Sequence, residues 1–266
     1  MGNALIFSIS AMLALAPAAL RGVRGPARRD AQFWLLLAVA LVGAGAWTVV
    51  QAADGWRTGF AAAIWVTITA SLLVYGVLAV FTRHAWRLSG LLATYLLVLA
   101  ASATVWSQAQ QDPLIGHAPP VWILLHVGAS VLTYALLTVG AIAGIAVLLQ
   151  ERALKQKRRG PLVERLPSMA DSERLEVGLI AAAEVVLGVG ILTGMTIEYF
   201  ASGTLLTVDH KTIFVLAAFV VIGALLAAHF LIGVRGRRAA RFVLLGYLLV
   251  TLGYPGVKFV SDVLLG

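Results

Sequence analysis

The stretch VWILLHVGASVLTYALLTVG (residues 121–140) is apolar enough for the interior of a bilayer, yet it carries polar side chains at four-residue intervals. They are His126, Ser130 and Tyr134. Positions four residues apart share one face of a helix, so the spacing predicts a polar stripe on an otherwise apolar helix. Because an imidazole buried in an apolar wall needs a partner, His126 is a candidate functional residue.

The composition around this stretch is typical of an integral membrane protein. The chain is 61% hydrophobic and 12% charged, and its mean hydropathy is +0.94. No open sheet can satisfy its backbone polar groups in lipid, so we predict an all-α fold in one membrane domain, residues 1–266. At roughly 20 apolar residues per crossing, the sequence predicts eight transmembrane helices, near residues 3–20, 31–52, 59–81, 88–107, 120–149, 175–200, 211–234 and 241–264.

The basic residues predict the orientation of these helices. Alternate connections hold all of the 20 lysines and arginines except Arg57, Lys211 and Lys258. Basic residues in short loops stay cytoplasmic, so both termini are expected outside the cytoplasm. Residues 150–174 are then predicted to be a cytoplasmic connector, which could include a short surface helix. The net charge of +8 then reflects topology and contact with anionic membrane lipids, and we predict no nucleic-acid partner.

The chain contains no cysteine. This excludes disulfides, redox thiols and thiolate ligands to haem or metals.

The five histidines divide between the two sides of the predicted topology. His117, His126 and His210 fall on the outer side, whereas His84 and His229 fall at cytoplasmic helix ends. His210 and His229 are 19 residues apart, which is roughly 28 Å along a helix, so they cannot ligate one metal ion. Two histidines facing each other from separate helices would suit axial ligation of a haem.

Ordinary structural roles compete with ligation at two of these histidines. His210 lies between Asp209 and Lys211 at a predicted helix start, where capping and solvation explain it equally well. Asp209 and Lys211, together with Glu198, would place several charges at the outer rim, where they could orient His210 or contact haem propionates. His229 could instead reach toward the cytoplasmic interface.

Glu184 is a second costly residue, because it lies about 14 Å from the cytoplasmic end of its predicted helix. A carboxyl group at that depth is either hydrogen-bonded between helices or part of a proton pathway. Ser130, Tyr134 and Thr193 are its expected partners.

Three segments carry a family resemblance. They are LLHVGASVLTYALLTVGAIAGIAVLLQERALK (124–155), LEVGLIAAAEVVLGVGILTGM (175–195) and the stretch from DHKTIFVLAAF to GYPGVKFV (209–260). Together they resemble the cytochrome c assembly family of haem-handling membrane proteins (the CcsA/CcmC type), and most closely its short HemX/YpjD-like branch of the bacterial inner (plasma) membrane. The first hundred residues agree only in hydropathy.

The resemblance implies roles for individual residues. His126 matches the external haem-ligating histidine of the family, and His229 falls close to a cytoplasmic-end histidine. The tryptophan-rich motif that holds haem at the outer surface has no counterpart, since ASGTLLTVDHKT (201–212) occupies its position. The second external histidine is also missing from VLLGYLLVTLGYPGVKFV (243–260).

These observations predict a non-enzymatic protein that binds a non-covalent b-type haem and assists cytochrome c assembly, with other maturation proteins as candidate partners. It would pass haem from the cytoplasmic side to the outer side. His126 would be the main ligand, with His210 as partner, His229 as an inner ligand, and Ser130 and Tyr134 as hydrogen-bonding support. Two alternatives stay open: a HemX-like regulatory or scaffolding protein that carries no haem, and a proton-coupled small-solute transporter that uses Glu184.

Overall fold

The computed structural model describes residues 2–53, 57–107, 112–113, 118–157 and 160–260. Its helices are α1 (Gly2–Arg24), α2 (Ala31–Ala53), α3 (Phe60–Phe81), α4 (Ser89–Val105), α5 (Pro120–Gln156), α6 (Pro161–Arg165), α7 (Met169–Ser202), α8 (His210–Ile232), α9 (Arg237–Thr251) and α10 (Val257–Phe259). A 3₁₀ turn, Ala85–Leu88, precedes α4. Two-residue strands, β1 (Arg57–Thr58) and β2 (Asp112–Pro113), pair antiparallel.

Eight helical segments among the described residues are long and apolar enough to cross a bilayer. The chain is therefore an all-α, multi-pass membrane protein, as its composition predicts. The eighth segment, Arg237–Phe259, is not a uniform α-helix. A π-helical turn, Leu252–Gly256, interrupts it at Pro255, which cannot donate the backbone hydrogen bond of a regular helix.

The predicted connector 150–174 is shorter in the structure than the sequence suggests. Helix α5 continues to Gln156, α7 begins at Met169, and the allowed surface helix is α6. At 37 residues, α5 is about 55 Å long and exceeds the ~30 Å hydrocarbon core. An ion pair between Glu151 and Lys155, 2.6 Å apart, lies on its extension.

The basic connections meet at one end of the molecule. Arg165 donates a hydrogen bond to the carbonyl of Arg24 at 3.2 Å, and Arg87 donates one to the carbonyl of Leu166 at 3.4 Å. Gly236, before α9, lies beside the first turn of α7. We call this the basic end. That the basic end faces the cytoplasm and that both termini lie outside it remain predictions.

Two apolar cores share α5, which packs along its length against α7 and also contacts α3 and α9. One core joins α1–α4 to the inner part of α5, and the other joins α5, α7, α8 and α9. Helices α1 and α4 cross at Gly22 and Gly90, where a Cβ on Gly22 would clash with the Cα of Gly90. Only glycine allows backbones to approach this closely.

Candidate functional site

A cavity of about 340 Å³ lies between α5, α7, α8 and the end of the last membrane segment, away from the basic end. We call it the outer cavity. His126, Ser130 and Tyr134 all line it. The four-residue spacing therefore does place the three polar side chains on one helix face.

The imidazole of His126 is held by α7. Its Nδ1 lies 2.9 Å from the carbonyl oxygen of Gly190 and 3.3 Å from the hydroxyl oxygen of Thr193. The ring covers Gly194, where a Cβ would lie only 3.0 Å from Cε1 of His126. The partners of His126 thus come from the facing helix, and the predicted support from Ser130 and Tyr134 is not what positions the ring.

This hydrogen bond also fixes which ring nitrogen is available to a ligand. A backbone carbonyl only accepts hydrogen bonds, so Nδ1 of His126 donates its proton to Gly190. In a neutral imidazole, Nε2 then carries the lone pair. Histidines that bind metals through Nε2 typically donate Nδ1–H to a carbonyl or carboxylate in this way.

A network of hydroxyl groups extends from Tyr134, which lines the outer cavity. The hydroxyl of Tyr134 contacts that of Thr251 at 3.1 Å and accepts a hydrogen bond from Tyr247 at 3.2 Å. Tyr247 in turn contacts the hydroxyl of Tyr95 at 2.5 Å. The network ties α4, α5 and α9 together. Sequence reasoning missed every member except Tyr134, because the other members come from α4 and α9 and meet Tyr134 only through helix packing.

Charged groups line the rim of the outer cavity. Glu198, Asp209 and Lys211 all contribute to it. Asp209 caps α8 by accepting a hydrogen bond from the backbone N–H of Thr212 at 2.7 Å. That hydrogen bond holds the pKa of the Asp209 carboxyl group below its usual value. The rim therefore carries fixed charges of both signs.

The structure does not gather the three predicted ligands into one site. His210 is exposed and is absent from the lining of the outer cavity. His229 lies in the last turn of α8 at the basic end, where Nδ1 is 2.9 Å from the carbonyl oxygen of Val234. His126 and His229 are therefore at opposite ends of the molecule. His117 lies outside the described residues.

Two glutamates of α7 contact glycines of neighbouring helices. Glu184 lies against Gly223 of α8, where a Cβ would be 2.9 Å from Oε1, and its Oε2 has no hydrogen-bond partner within the part of the chain that the structure describes. Its contact with α8 differs from the expected bonds to Ser130, Tyr134 or Thr193. Glu176, which sequence reasoning missed, is completely buried against Gly144 of α5. No hydrogen-bond partner for either carboxyl oxygen of Glu176 lies among the described residues.

The fold and the outer cavity define a class: a multi-pass helical membrane protein with an oriented histidine in a cavity near one membrane face. Residues 35–265 match the family described as cytochrome C assembly protein, so the chain belongs to the cytochrome c assembly family. This confirms the family that the sequence resemblance indicated.

Individual relatives cover different shares of the chain. An uncharacterized 28.8 kDa protein in the nifR3-like 5′ region of Azospirillum brasilense is 49% identical over 100% of both chains. Inner membrane protein YpjD of Escherichia coli K12 is 25% identical over 73% of this chain and 72% of its own.

The cytochrome c biogenesis protein CcsA of Synechococcus strain CC9311 is 27% identical over 60% of this chain and 62% of its own length. No solved structure matches. The relatives and the eight apolar helices show a multi-pass protein of the inner membrane.

Proposed function

We propose that the protein binds a non-covalent b-type haem in the outer cavity and assists cytochrome c assembly, with His126 as the iron ligand. Family membership supports a role in cytochrome c biogenesis. One observation carries the haem proposal: Nδ1 of His126 is bonded to the Gly190 carbonyl, which leaves Nε2 for a ligand. An axial histidine of a haem protein has this arrangement.

The other residues of the outer cavity fit a porphyrin. Its walls include apolar side chains suited to a macrocycle, namely Leu187, Ile191, Val215, Leu216 and Tyr254. Lys211 at the rim offers a positive charge to a propionate. Gly194 leaves the space that the imidazole occupies. A bound haem would supply an iron centre; the protein would orient, shield and release it.

The two remaining predicted ligands, His210 and His229, would bind haem at separate steps of its transfer. His210 would join the iron from the rim, which requires the start of α8 to turn toward the cavity. His229 would take haem at the basic end, and its Nδ1 already contacts a backbone carbonyl as that of His126 does. His210 and His229 would be separate sites, because positions 210 and 229 are roughly 28 Å apart along the helix. Transfer would run from the cytoplasmic to the outer side, with no covalent bond made by the protein.

The absorption spectrum of detergent-purified protein tests the proposal. Wild type expressed with ample haem should show a Soret band and, when reduced, α and β bands, and His126→Ala should lose most of this absorbance. His84→Ala is the matched control, because His84 is an exposed histidine at the basic end. His126→Gly should regain the bands when free imidazole is added, which separates ligation from folding.

Other spectra would contradict the proposal. Haem-free wild type, even after reconstitution, would leave the HemX-like regulatory or scaffolding role as the better account. A Soret band that survives in His126→Ala would move the ligand elsewhere. Loss of haem absorbance in His210→Ala and in His229→Ala tests these two further haem sites separately.

The buried Oε2 of Glu184, which has no hydrogen-bond partner in the described ranges, favours one second candidate, proton-coupled transport. Solute-driven proton uptake by reconstituted vesicles that Glu184→Gln abolishes would support it. Vesicles without such uptake would exclude it.

A further inference from the structure

A second, smaller cavity lies at the basic end among α1, α2, α3 and α4, with a volume of about 50 Å³. We call it the inner pocket. Its polar lining includes four arginines, Arg21, Arg28, Arg87 and Arg165. No aspartate or glutamate is among the described residues that line it. The inner pocket is therefore strongly positive.

Most of this positive charge is not neutralised by ion pairs with other described residues. Arg21 is paired with Asp30 at 2.7 Å. Arg87 and Arg165, in contrast, each donate one hydrogen bond to a backbone carbonyl, at 3.4 and 3.2 Å. A guanidinium group has five N–H donors, so both retain donors for an anion. Guanidinium forks match the oxygens of a phosphate group.

The rest of the inner pocket is apolar. Its aliphatic lining is formed by Leu15, Ala18, Leu36, Leu37, Ala40 and Leu72. Three aromatic residues, Phe33, Tyr75 and Trp86, also line it, and the Tyr75 hydroxyl donates to the Trp86 carbonyl at 2.9 Å. Tyrosine and tryptophan concentrate at the headgroup level of membranes. The inner pocket therefore combines guanidinium, aromatic and aliphatic groups, which suit the phosphate, the interfacial part and the acyl chain of a phospholipid.

We propose that the inner pocket binds an anionic phospholipid. The arginines would take the headgroup phosphate, and the aliphatic walls would contact the start of an acyl chain. The small volume admits only this part of the lipid, so the rest would lie in the bilayer. This inference is independent of haem binding in the outer cavity.

General attraction between basic loops and anionic lipid makes a different prediction. That attraction depends on charge near the membrane and not on which arginine supplies it. A built pocket predicts selective loss when its own arginines are changed. Arg238 and Arg241 provide the matched control, because both are exposed on the first turns of α9 and neither lines the inner pocket.

Native mass spectrometry of the purified protein tests this inference with phosphatidylglycerol, phosphatidylethanolamine and inorganic phosphate as probes. Wild type should retain phosphatidylglycerol more strongly than phosphatidylethanolamine. Arg87→Gln with Arg165→Gln should weaken retention of phosphatidylglycerol by roughly tenfold for each arginine, because each loses its charge-assisted hydrogen bonds to the phosphate, whereas Arg238→Gln with Arg241→Gln should leave it unchanged. Arg28→Gln repeats the test at an exposed residue whose loss should not disturb folding.

A variant of the apolar wall separates a lipid from a free anion. Ala18→Leu should lower retention of phosphatidylglycerol, because it fills the aliphatic part and leaves the arginines in place. Equal losses in the two arginine pairs, equal retention of both lipids, or phosphate binding as tight as lipid binding would each overturn the proposal.

Discussion

The helix pair α5 and α7 places a polar side chain on a glycine at each of its two ends. At the outer cavity, the imidazole of His126 covers Gly194 of α7. Toward the basic end, the carboxyl group of Glu176 lies against Gly144 of α5. The backbone arrangement is alike, since a glycine on one helix makes room for a polar group from the other.

The two ends differ in what surrounds the polar group. His126 is half-buried, hydrogen-bonded to Gly190 and next to a cavity. Glu176 is 0% exposed, and neither of its carboxyl oxygens is hydrogen-bonded among the described residues. A buried polar group without a partner costs free energy, whereas one that opens on a cavity can gain a ligand. We infer that the first contact suits binding, whereas the second contributes only a cost to folding.

Gly144→Ala should have the largest effect on stability. The added Cβ would lie 2.7 Å from Oε1 of Glu176, and a carboxyl group that is fully enclosed has no space into which to move. Overpacking of this kind costs about 1–3 kcal/mol. Thermal unfolding in detergent, followed by tryptophan fluorescence, should show a lower midpoint.

A double-mutant cycle controls for a general effect on helix packing. In a Glu176→Ala background the clash is absent, so Gly144→Ala should become nearly neutral. Equal losses in both backgrounds would show that the glycine matters for a reason other than Glu176.

Replacing Glu176 by methionine should stabilise the protein. Methionine has a similar volume and no polar atom that needs a hydrogen bond, so the change removes a desolvation cost of about 1–3 kcal/mol. A higher unfolding midpoint for Glu176→Met than for wild type is the expected result. A lower midpoint would mean that Glu176 has a stabilising partner, such as a bound water or cation.

Gly194→Ala should affect binding more than folding. Its Cβ would lie 3.0 Å from Cε1 of His126, but this ring borders a cavity and can turn away. The turn would break the bond to Gly190, so we expect roughly tenfold weaker haem binding, about 1.4 kcal/mol. A haem titration would measure the change. Unchanged affinity with a lower unfolding midpoint would make the outer contact equivalent to the inner one.

Sequence alone could predict only those parts of this comparison that follow from the helical repeat. His126, Ser130 and Tyr134 share a face because their spacing matches the helical repeat, and the structure places that face on the cavity. Spacing within one helix gives no information about the facing helix. The roles of Gly190 and Gly194 therefore depended on how α5 and α7 align, which the sequence does not encode locally.

Other residues escaped prediction for related reasons. Glu176 follows basic and acidic residues near the start of α7, a position typical of an interfacial charge, although helix packing against Gly144 buries it. His210 is the predicted partner of His126, but the first residue of a helix can point outward as readily as inward, and here His210 is exposed. Tyr247 contacts Tyr134 from α9, whose rotation the apolar pattern does not determine.

The smallest expected effect is a dependence of stability on pH at the rim of the outer cavity. The pKa of Asp209 is lowered by its hydrogen bond from the Thr212 backbone, so its cap on α8 is fully formed above its unfolded pKa of about 3.9 and is lost as the pH falls through the lower folded value. Asp209→Ala should cost about 1 kcal/mol near pH 6, measured as a lower unfolding midpoint.

Asp209→Asn sets the control for that pH dependence. Asparagine keeps a capping oxygen but does not titrate, so the difference in stability between wild type and Asp209→Asn should be constant from pH 7 to 5 and should shrink below about pH 4. An unchanging difference down to pH 2.5 would show that Asp209 does not hold the rim through its charge. Because Asp209 caps the helix start that borders the outer cavity, Asp209→Ala should also weaken haem binding near pH 6.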